Sequence, residues 1–123
     1  MALNPLVDSR DVRFALFEAL EVESLTKLGH YSAFSKDDFD NFIDLAETIA
    51  VEQLYPTFAE GDKEGCTYVP DTKEVKIPKC YKSALDKFYE AGFGGIDVHE
   101  EWGGMGVPQA VTWACNEFLC AAN

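Results

Sequence analysis

The chain has 123 residues, of which 47% are hydrophobic and 13% aromatic, enough to bury the core of one domain and too apolar for a disordered tail. Twenty-two acidic against ten basic residues give a net charge of −12. That charge repels phosphate backbones and anionic membranes, so nucleic-acid binding is disfavoured.

The chain shows no signal for export or membrane insertion. Its first ten residues have neither a basic segment nor an apolar one, as a secretory signal would need. No apolar run approaches the roughly 18 residues that span a bilayer. Four cysteines could form two disulfides, but without export reduced thiols are the better interpretation. We therefore expect a cytoplasmic protein without a membrane span.

Helical periodicity dominates the first half of the sequence. Asp8 or Ser9 caps a first helix whose apolar positions are Val12, Leu16, Phe17 and Leu20. Ser35 and Asp38 form a capping box for a longer helix, with apolar residues at a 3.6-residue period through Leu54. Pro56 should end or kink that helix. The stretch Glu60-Gly61-Asp62 is predicted to leave it as a loop.

The second half predicts a β-hairpin, two more helices and a glycine-rich loop. Two β-prone runs flank the turn at residues 70–73 between Thr67 and Ile77. Pro78 opens a helix that Gly92 ends, and a loop runs from Gly92 to Gly106. Pro108 opens the last helix, whose apolar stripe is Val111, Ala114, Cys115, Phe118, Leu119 and Ala122.

These elements predict a mainly α fold, a helical bundle of about five helices with one small β-hairpin. We divide it into a leading helical segment, residues 1–34, and a helical domain, residues 35–123. The last helix also has apolar or small residues off its main stripe: Ala110, Trp113, Cys120 and Ala121. A helix that is apolar on several faces is expected to be buried. We therefore expect that the native polypeptide continues beyond residue 123 and that this piece self-associates.

Two glycine clusters invite a binding interpretation. The segment Gly92 to Asp97 lacks the third glycine of a dinucleotide fingerprint and follows a helix, which favours a helix cap and tight turn. The cluster Gly103, Gly104 and Gly106 precedes a helix whose free amides could hold an anion. A sharp loop requiring positive φ or close backbone approach is the better-supported alternative.

No metal or catalytic set emerges from the sequence. After His99-Glu100, the zinc motif H-E-x-x-H requires histidine at position 103, which is Gly103. A calcium loop at Asp37, Asp38 and Asp40 would need a ligand where Phe42 stands. Paired carboxylates such as those of Glu100 and Glu101 have no nucleophile beside them. We therefore assign no catalytic, cofactor-binding or metal-binding residue.

The run Tyr89 to Gly106, Y-E-A-G-F-G-G-I-D-V-H-E-E-W-G-G-M-G, resembles the amino-terminal domain of acyl-CoA dehydrogenases. There, an acidic-aromatic-Gly-Gly-x-Gly loop leads into a helix, although His99 replaces a common proline. The segments 8–20, 49–56 and 60–66, and the hairpin after them, are similar to a longer bacterial branch that includes methylthiopropionyl-CoA dehydrogenase-like enzymes. Five modest motifs in the right order make the resemblance fairly specific.

The resemblance implies a larger FAD-dependent enzyme that removes hydrogen from the α and β carbons of an acyl-CoA. In that family, FAD and the catalytic glutamate belong to later parts of the polypeptide, so this chain alone should be inactive and bind no cofactor. Gly103, Gly104 and Gly106 are at most scaffold near the acyl site. The implied partners are the remaining domains, the acyl-CoA, an electron-transferring flavoprotein and further copies in a homo-oligomer. The alternative is a stand-alone acidic helical protein-interaction module.

Overall fold

The computed structural model describes residues 4–123, which form five α-helices and one two-stranded sheet. The α-helices are α1 (Ser9–Arg13), α2 (Lys36–Ile49), α3 (Tyr55–Glu64), α4 (Tyr81–Glu90) and α5 (Gln109–Ala122). The strands β1 (Thr67–Val69) and β2 (Glu74–Lys76) pair antiparallel between α3 and α4. The mainly helical class with one small hairpin is therefore confirmed. Residues 1–3 of the predicted leading segment lie outside the described residues.

The leading segment begins as predicted and then departs from α-helical geometry. The Asp8 carboxylate accepts hydrogen bonds from the amides of Arg10 and Asp11 and caps α1. Residues Phe14–Ala19 then form a π-helix, in which the Leu20 amide donates to the Ala15 carbonyl. Because this turn is wider, Leu20 lies outside the buried face and is 66% exposed. Its predicted place in the apolar stripe was therefore wrong. Short 3₁₀ helices follow at Val22–Lys27 and Gly29–Tyr31.

A buried carboxylate fastens the leading segment to α2. Glu47 is 7% exposed and accepts hydrogen bonds from the Asn4 amide and the Ser9 hydroxyl, each at 2.8 Å. Arg13 approaches Glu47 at 3.7 Å and pairs with Asp40 at 2.7 Å and with Asp44. A buried carboxylate is tolerated only with such partners, so this network fixes where α1 lies on α2.

The long helix starts at the predicted cap. Ser35 and Asp38 form the reciprocal capping box. Hydrogen bonds from Ser35, its hydroxyl first and its amide second, lower the pKa of Asp38. The neighbouring carboxylates of Asp37 and Asp38 thus lie in a first helical turn, where they complement the helix dipole.

Helical structure continues past Pro56, so the first predicted alternative, an end of the helix at this residue, is wrong, whereas the second, a kink there, stays a prediction. A π-helical segment, Ala50–Leu54, joins α2 to α3, and Pro56 lies in the first turn of α3, where a missing amide donor is tolerated. The expected loop at Gly61 is wrong, because α3 runs to Glu64 and ends at Gly65, whose φ is +66°. Gly61 is instead buried, and a Cβ atom there would overlap the Tyr81 ring of α4.

The core lies where α5 packs against α2 and the following π-helical segment. Phe39 and Ile43 of α2 meet Val111, Cys115 and Phe118 of α5, and all five are fully buried. Side chains from the leading segment close the core from another side, among them Val12, Leu16, Phe17 and Val22. No helix in residues 4–123 is long and apolar enough to cross a membrane.

Candidate functional site

The glycine-rich loop between α4 and α5 is a folded unit. Gly92 ends α4 with φ +84°, and 3₁₀ turns follow at Phe93–Gly95 and Glu100–Trp102. The two ends of the loop are joined by backbone hydrogen bonds: the amides of residues 105, 106 and 107 donate to the carbonyls of residues 95, 98 and 96 at 3.2, 2.9 and 3.0 Å. The loop therefore delivers the chain to Pro108 and α5 in one defined position.

The three predicted scaffold glycines have different physical reasons to be glycine. Gly103 and Gly106 have φ values of +82° and +66°, a region that L-residues rarely adopt. Gly104 is constrained by space, because a Cβ atom there would overlap the Val98 carbonyl. The sequence pattern singled out the cluster, but it could not distinguish these two reasons.

The loop does not form an anion cradle from its own amides. All six amides from Trp102 to Val107 donate to carbonyls within residues 95–100. A nest for phosphate or for the diphosphate of FAD needs such donors free and converging. Glu100 and Glu101 add negative charge at the same place. The loop therefore does not fit a dinucleotide diphosphate, and its hydrogen bonding serves a tight turn.

A polar cleft of about 230 Å³ separates this loop from the leading segment. The imidazole rings of His30 and His99 stack across it with centroids 5.3 Å apart, and Ser32, Glu100 and Gly106 contribute to its walls. The His99 Nδ1 atom accepts a hydrogen bond from the Glu101 amide at 3.2 Å. Sequence reasoning missed this pair, since the two histidines are far apart in the chain and no local pattern relates them.

Neither a metal cluster nor a disulfide occurs among residues 4–123. Cys66 and Cys120 are exposed, Cys80 is half-buried and Cys115 is fully buried. Cys115 and Cys120, five residues apart on α5, thus face different sides of that helix. The arrangement leaves four separate thiols rather than a redox pair.

Thiol reactivity should follow this order of burial. Burial raises the pKa of Cys115 to about 12, so its thiol stays protonated at mildly alkaline pH and cannot act as a nucleophile. With a chromogenic disulfide reagent, we expect Cys66 and Cys120 to react quickly and Cys115 only after unfolding. Cys120→Ala should remove one fast equivalent, whereas Cys115→Ala should change only the total in denaturant. Equal rates for Cys115 and Cys120 in the folded protein would contradict this burial pattern.

Packing against α2 gives the last helix, α5, one buried face and one exposed face. Of the predicted stripe, Ala114 is half-buried and the other five residues are buried: Val111, Cys115, Phe118, Leu119 and Ala122. Trp113 is 69% exposed on the other side, and Trp102 of the preceding loop is 82% exposed. The apolar stripe of α5 therefore faces the core of this domain, whereas Trp102 and Trp113 are exposed to solvent.

Comparison with known proteins gives relatives of one kind. No family model matches the chain. It is 32% identical over 114 residues to the broad-specificity linear acyl-CoA dehydrogenase FadE5 of Mycobacterium tuberculosis, which is 93% of this chain and 19% of that protein. A butyryl-CoA dehydrogenase of Syntrophomonas wolfei is 34% identical over 93 residues, 74% of this chain and 15% of the relative. The 3-methylmercaptopropionyl-CoA dehydrogenase of Ruegeria pomeroyi is 29% identical over 114 residues, with coverage of 93% and 19%.

The fold defines a helical domain in which a glycine-rich loop, closed by its own backbone hydrogen bonds, leads into the last helix. The chain belongs to the acyl-CoA dehydrogenase family and corresponds to the amino-terminal portion of these enzymes, as its motifs predicted. It spans about a fifth or less of the length of the curated relatives it matches. The family uses FAD.

Proposed function

We propose that this chain serves as the amino-terminal helical domain of an FAD-dependent, cytoplasmic acyl-CoA dehydrogenase. The whole enzyme would oxidise the α,β carbon–carbon bond of an acyl-CoA thioester. Residues 1–34 would form a leading segment fastened to the domain through Glu47, and residues 35–123 the domain itself. The observation that carries the proposal is the similarity to three such dehydrogenases over 74–93% of the chain.

In this proposal, the chemistry belongs to other parts of the enzyme. FAD supplies hydride acceptance when bound, and the carboxylate base and the flavin-binding segments would come from later domains. The described residues would form part of the wall around the acyl site and would position α5. Gly103, Gly104 and Gly106 would set the path of the loop, and the loop would set the position of α5. The hydrogen bonding of residues 102–107 supports a positioning role, because their backbone amides all donate to carbonyls of the same loop and so fix its path.

The proposed partners follow from the same assignment. They are the remaining domains of the enzyme, the acyl-CoA substrate, an electron-transferring flavoprotein and further subunits of a homo-oligomer. The net charge of −12 supports placing the CoA phosphates against other parts of the enzyme, where cations could bind them.

A chimera tests this function. The matching amino-terminal region of the Mycobacterium tuberculosis dehydrogenase FadE5 would be replaced by this chain, and FAD content and acyl-CoA oxidation measured. We expect bound flavin and measurable turnover. A matched chimera carrying Phe118→Ala, with the domain core disrupted, should lose both. A folded chimera with flavin but without acyl-CoA oxidation would contradict the assignment.

The alternative function is a protein-interaction module, and the exposure of Trp102 and Trp113 is the observation that favours it. Large aromatic residues are enriched at the energetic centres of protein interfaces. Under this alternative, the isolated chain would have a cellular role without flavin chemistry. Two results together would favour the interaction module. The unsubstituted chimera would fold and bind flavin but not oxidise acyl-CoA, and the chain would bind a specific partner that its Trp113→Ala variant does not bind.

A further inference from the structure

The hairpin is largely exposed to solvent. Every residue of β1 and β2 is exposed except Val69, which is half-buried. Tyr68, Val75 and Ile77 are 59%, 60% and 54% exposed. The sheet has two strands, so each strand has an outer edge with no strand beside it in residues 4–123. Such short hairpins are marginally stable in water, and an open edge can accept another strand.

The charges on β2 have no oppositely charged partner within the hairpin. Glu74 lies opposite Val69, and Lys76 lies opposite Thr67, in the observed register. Neither Glu74 nor Lys76 forms an ion pair with any residue in the described part of the chain. The only side-chain hydrogen bond found for the pair is that from the Thr72 hydroxyl to Glu74 at 3.1 Å. The charge pattern is therefore unexplained by contacts inside this fold.

The order of the charges on β2 is complementary to that of a second, antiparallel β2 strand. In an antiparallel pair of two β2 strands centred on Val75, Glu74 of each copy faces Lys76 of the other, and the two Val75 residues face each other. Opposite charges directly across a strand pair stabilise it, and like charges destabilise it. Charged residues usually protect an edge from self-pairing. Here their alternating order removes that protection for this one register.

We propose that the outer edge of β2 is an interface between two copies of this chain, which pair antiparallel about a twofold axis through Val75. The product is a four-stranded sheet in the order β1, β2, β2 of the partner, β1 of the partner. Two Glu74–Lys76 pairs lie on one face. Tyr68 and Val75 of both copies lie in one row on the other. A twofold contact of this kind uses the same patch on both subunits.

Strand alternation places the groups of the row together. Side chains of residues 74 and 76 share one face of β2, and residue 75 points to the opposite face, which it shares with its cross-strand neighbour Tyr68. Pairing thus brings exposed apolar groups side by side and gives each backbone edge its missing hydrogen bonds. The interface is small, so we expect a reversible dimer at high protein concentration rather than a permanent one.

Sedimentation equilibrium of charge variants tests the interface. In moderate salt, which screens the general repulsion between chains of net charge −12, the unsubstituted chain should show a monomer–dimer equilibrium. Lys76→Glu or Glu74→Lys each places two like-charge pairs across the axis and should weaken dimerisation roughly tenfold. The double variant Glu74→Lys with Lys76→Glu restores both pairs and should return the dissociation constant near the original value.

Lys73→Glu is the matched control. It changes the net charge by as much as Lys76→Glu, in the same hairpin, but in the proposed register residue 73 faces the uncharged Ile77. Its dissociation constant should stay within about twofold of the original, because only screened, longer-range repulsion changes. Circular dichroism would verify that each variant keeps the helical fold.

Three results would overturn the proposal: a strict monomer at the highest concentration reached, equal dissociation constants for Lys73→Glu and Lys76→Glu, or a double variant no better than the single ones. The inference does not depend on the proposed enzymatic function. A failed chimera with a charge-dependent dimer would remove the function alone, and an active chimera with a monomeric chain would remove the interface alone.

Discussion

Replacing Phe118 by alanine should lower the free energy of unfolding by about 3–5 kcal/mol. Phe118 is fully buried on the face of α5 that packs against α2, beside the fully buried Phe39 and Ile43. Truncation there removes apolar contacts and leaves a cavity that a close-packed core closes only in part. Urea unfolding followed by circular dichroism measures the loss.

Trp113→Ala on the same helix is the control for that experiment. It removes a larger aromatic side chain, but one that is 69% exposed, so the change should be within about 0.5 kcal/mol of zero. Similar losses for the two variants would show that α5 has no preferred inner face in solution, contrary to the packing described above.

Gly104→Ala should destabilise the fold by about 3 kcal/mol, at the upper end of typical overpacking effects. The added Cβ would overlap the Val98 carbonyl, and a backbone atom cannot rotate away as a side chain can. The loop would have to give up part of the hydrogen bonding that joins residues 95–98 to residues 105–107. Thermal and urea unfolding of the purified variant would measure the effect.

Gly103→Ala separates the effect of space from that of backbone conformation. An added Cβ at Gly103 meets nothing within 4 Å, but the residue has φ +82°. Only the positive φ is penalised, at about 1–2 kcal/mol. A larger loss for Gly103→Ala than for Gly104→Ala would mean that the loop does not follow the path described above.

The sequence predicted the elements whose causes are local. The Ser35–Asp38 capping box, the turn at residues 70–73, Gly92 as the end of α4 and Pro108 before α5 were each confirmed. In each case the residue type satisfies the backbone within a few positions. The division between the inner and outer faces of α5 was only partly predicted, because its small and apolar residues occur all round the helix.

What the sequence missed depends on geometry that is not local. A π turn inserts one extra residue without changing composition, so neither Phe14–Ala19 nor Ala50–Leu54 could be predicted from periodicity. Gly61 was predicted to be a loop residue because the group that requires a glycine there, the Tyr81 ring, lies on another helix and cannot be identified from the neighbouring sequence. The same holds for Glu47 with Arg13 and for His30 with His99, since each pair is created by tertiary packing.

The proposed role of the loop as scaffold near the acyl site has a direct structural test. A crystal structure of the FadE5 chimera, grown with FAD and a non-reactive acyl-CoA analogue, would show where residues 103–106 lie. We expect the loop and α5 to lie beside the acyl-binding pocket while later domains hold the flavin. A loop that faces solvent away from the bound acyl chain would contradict it.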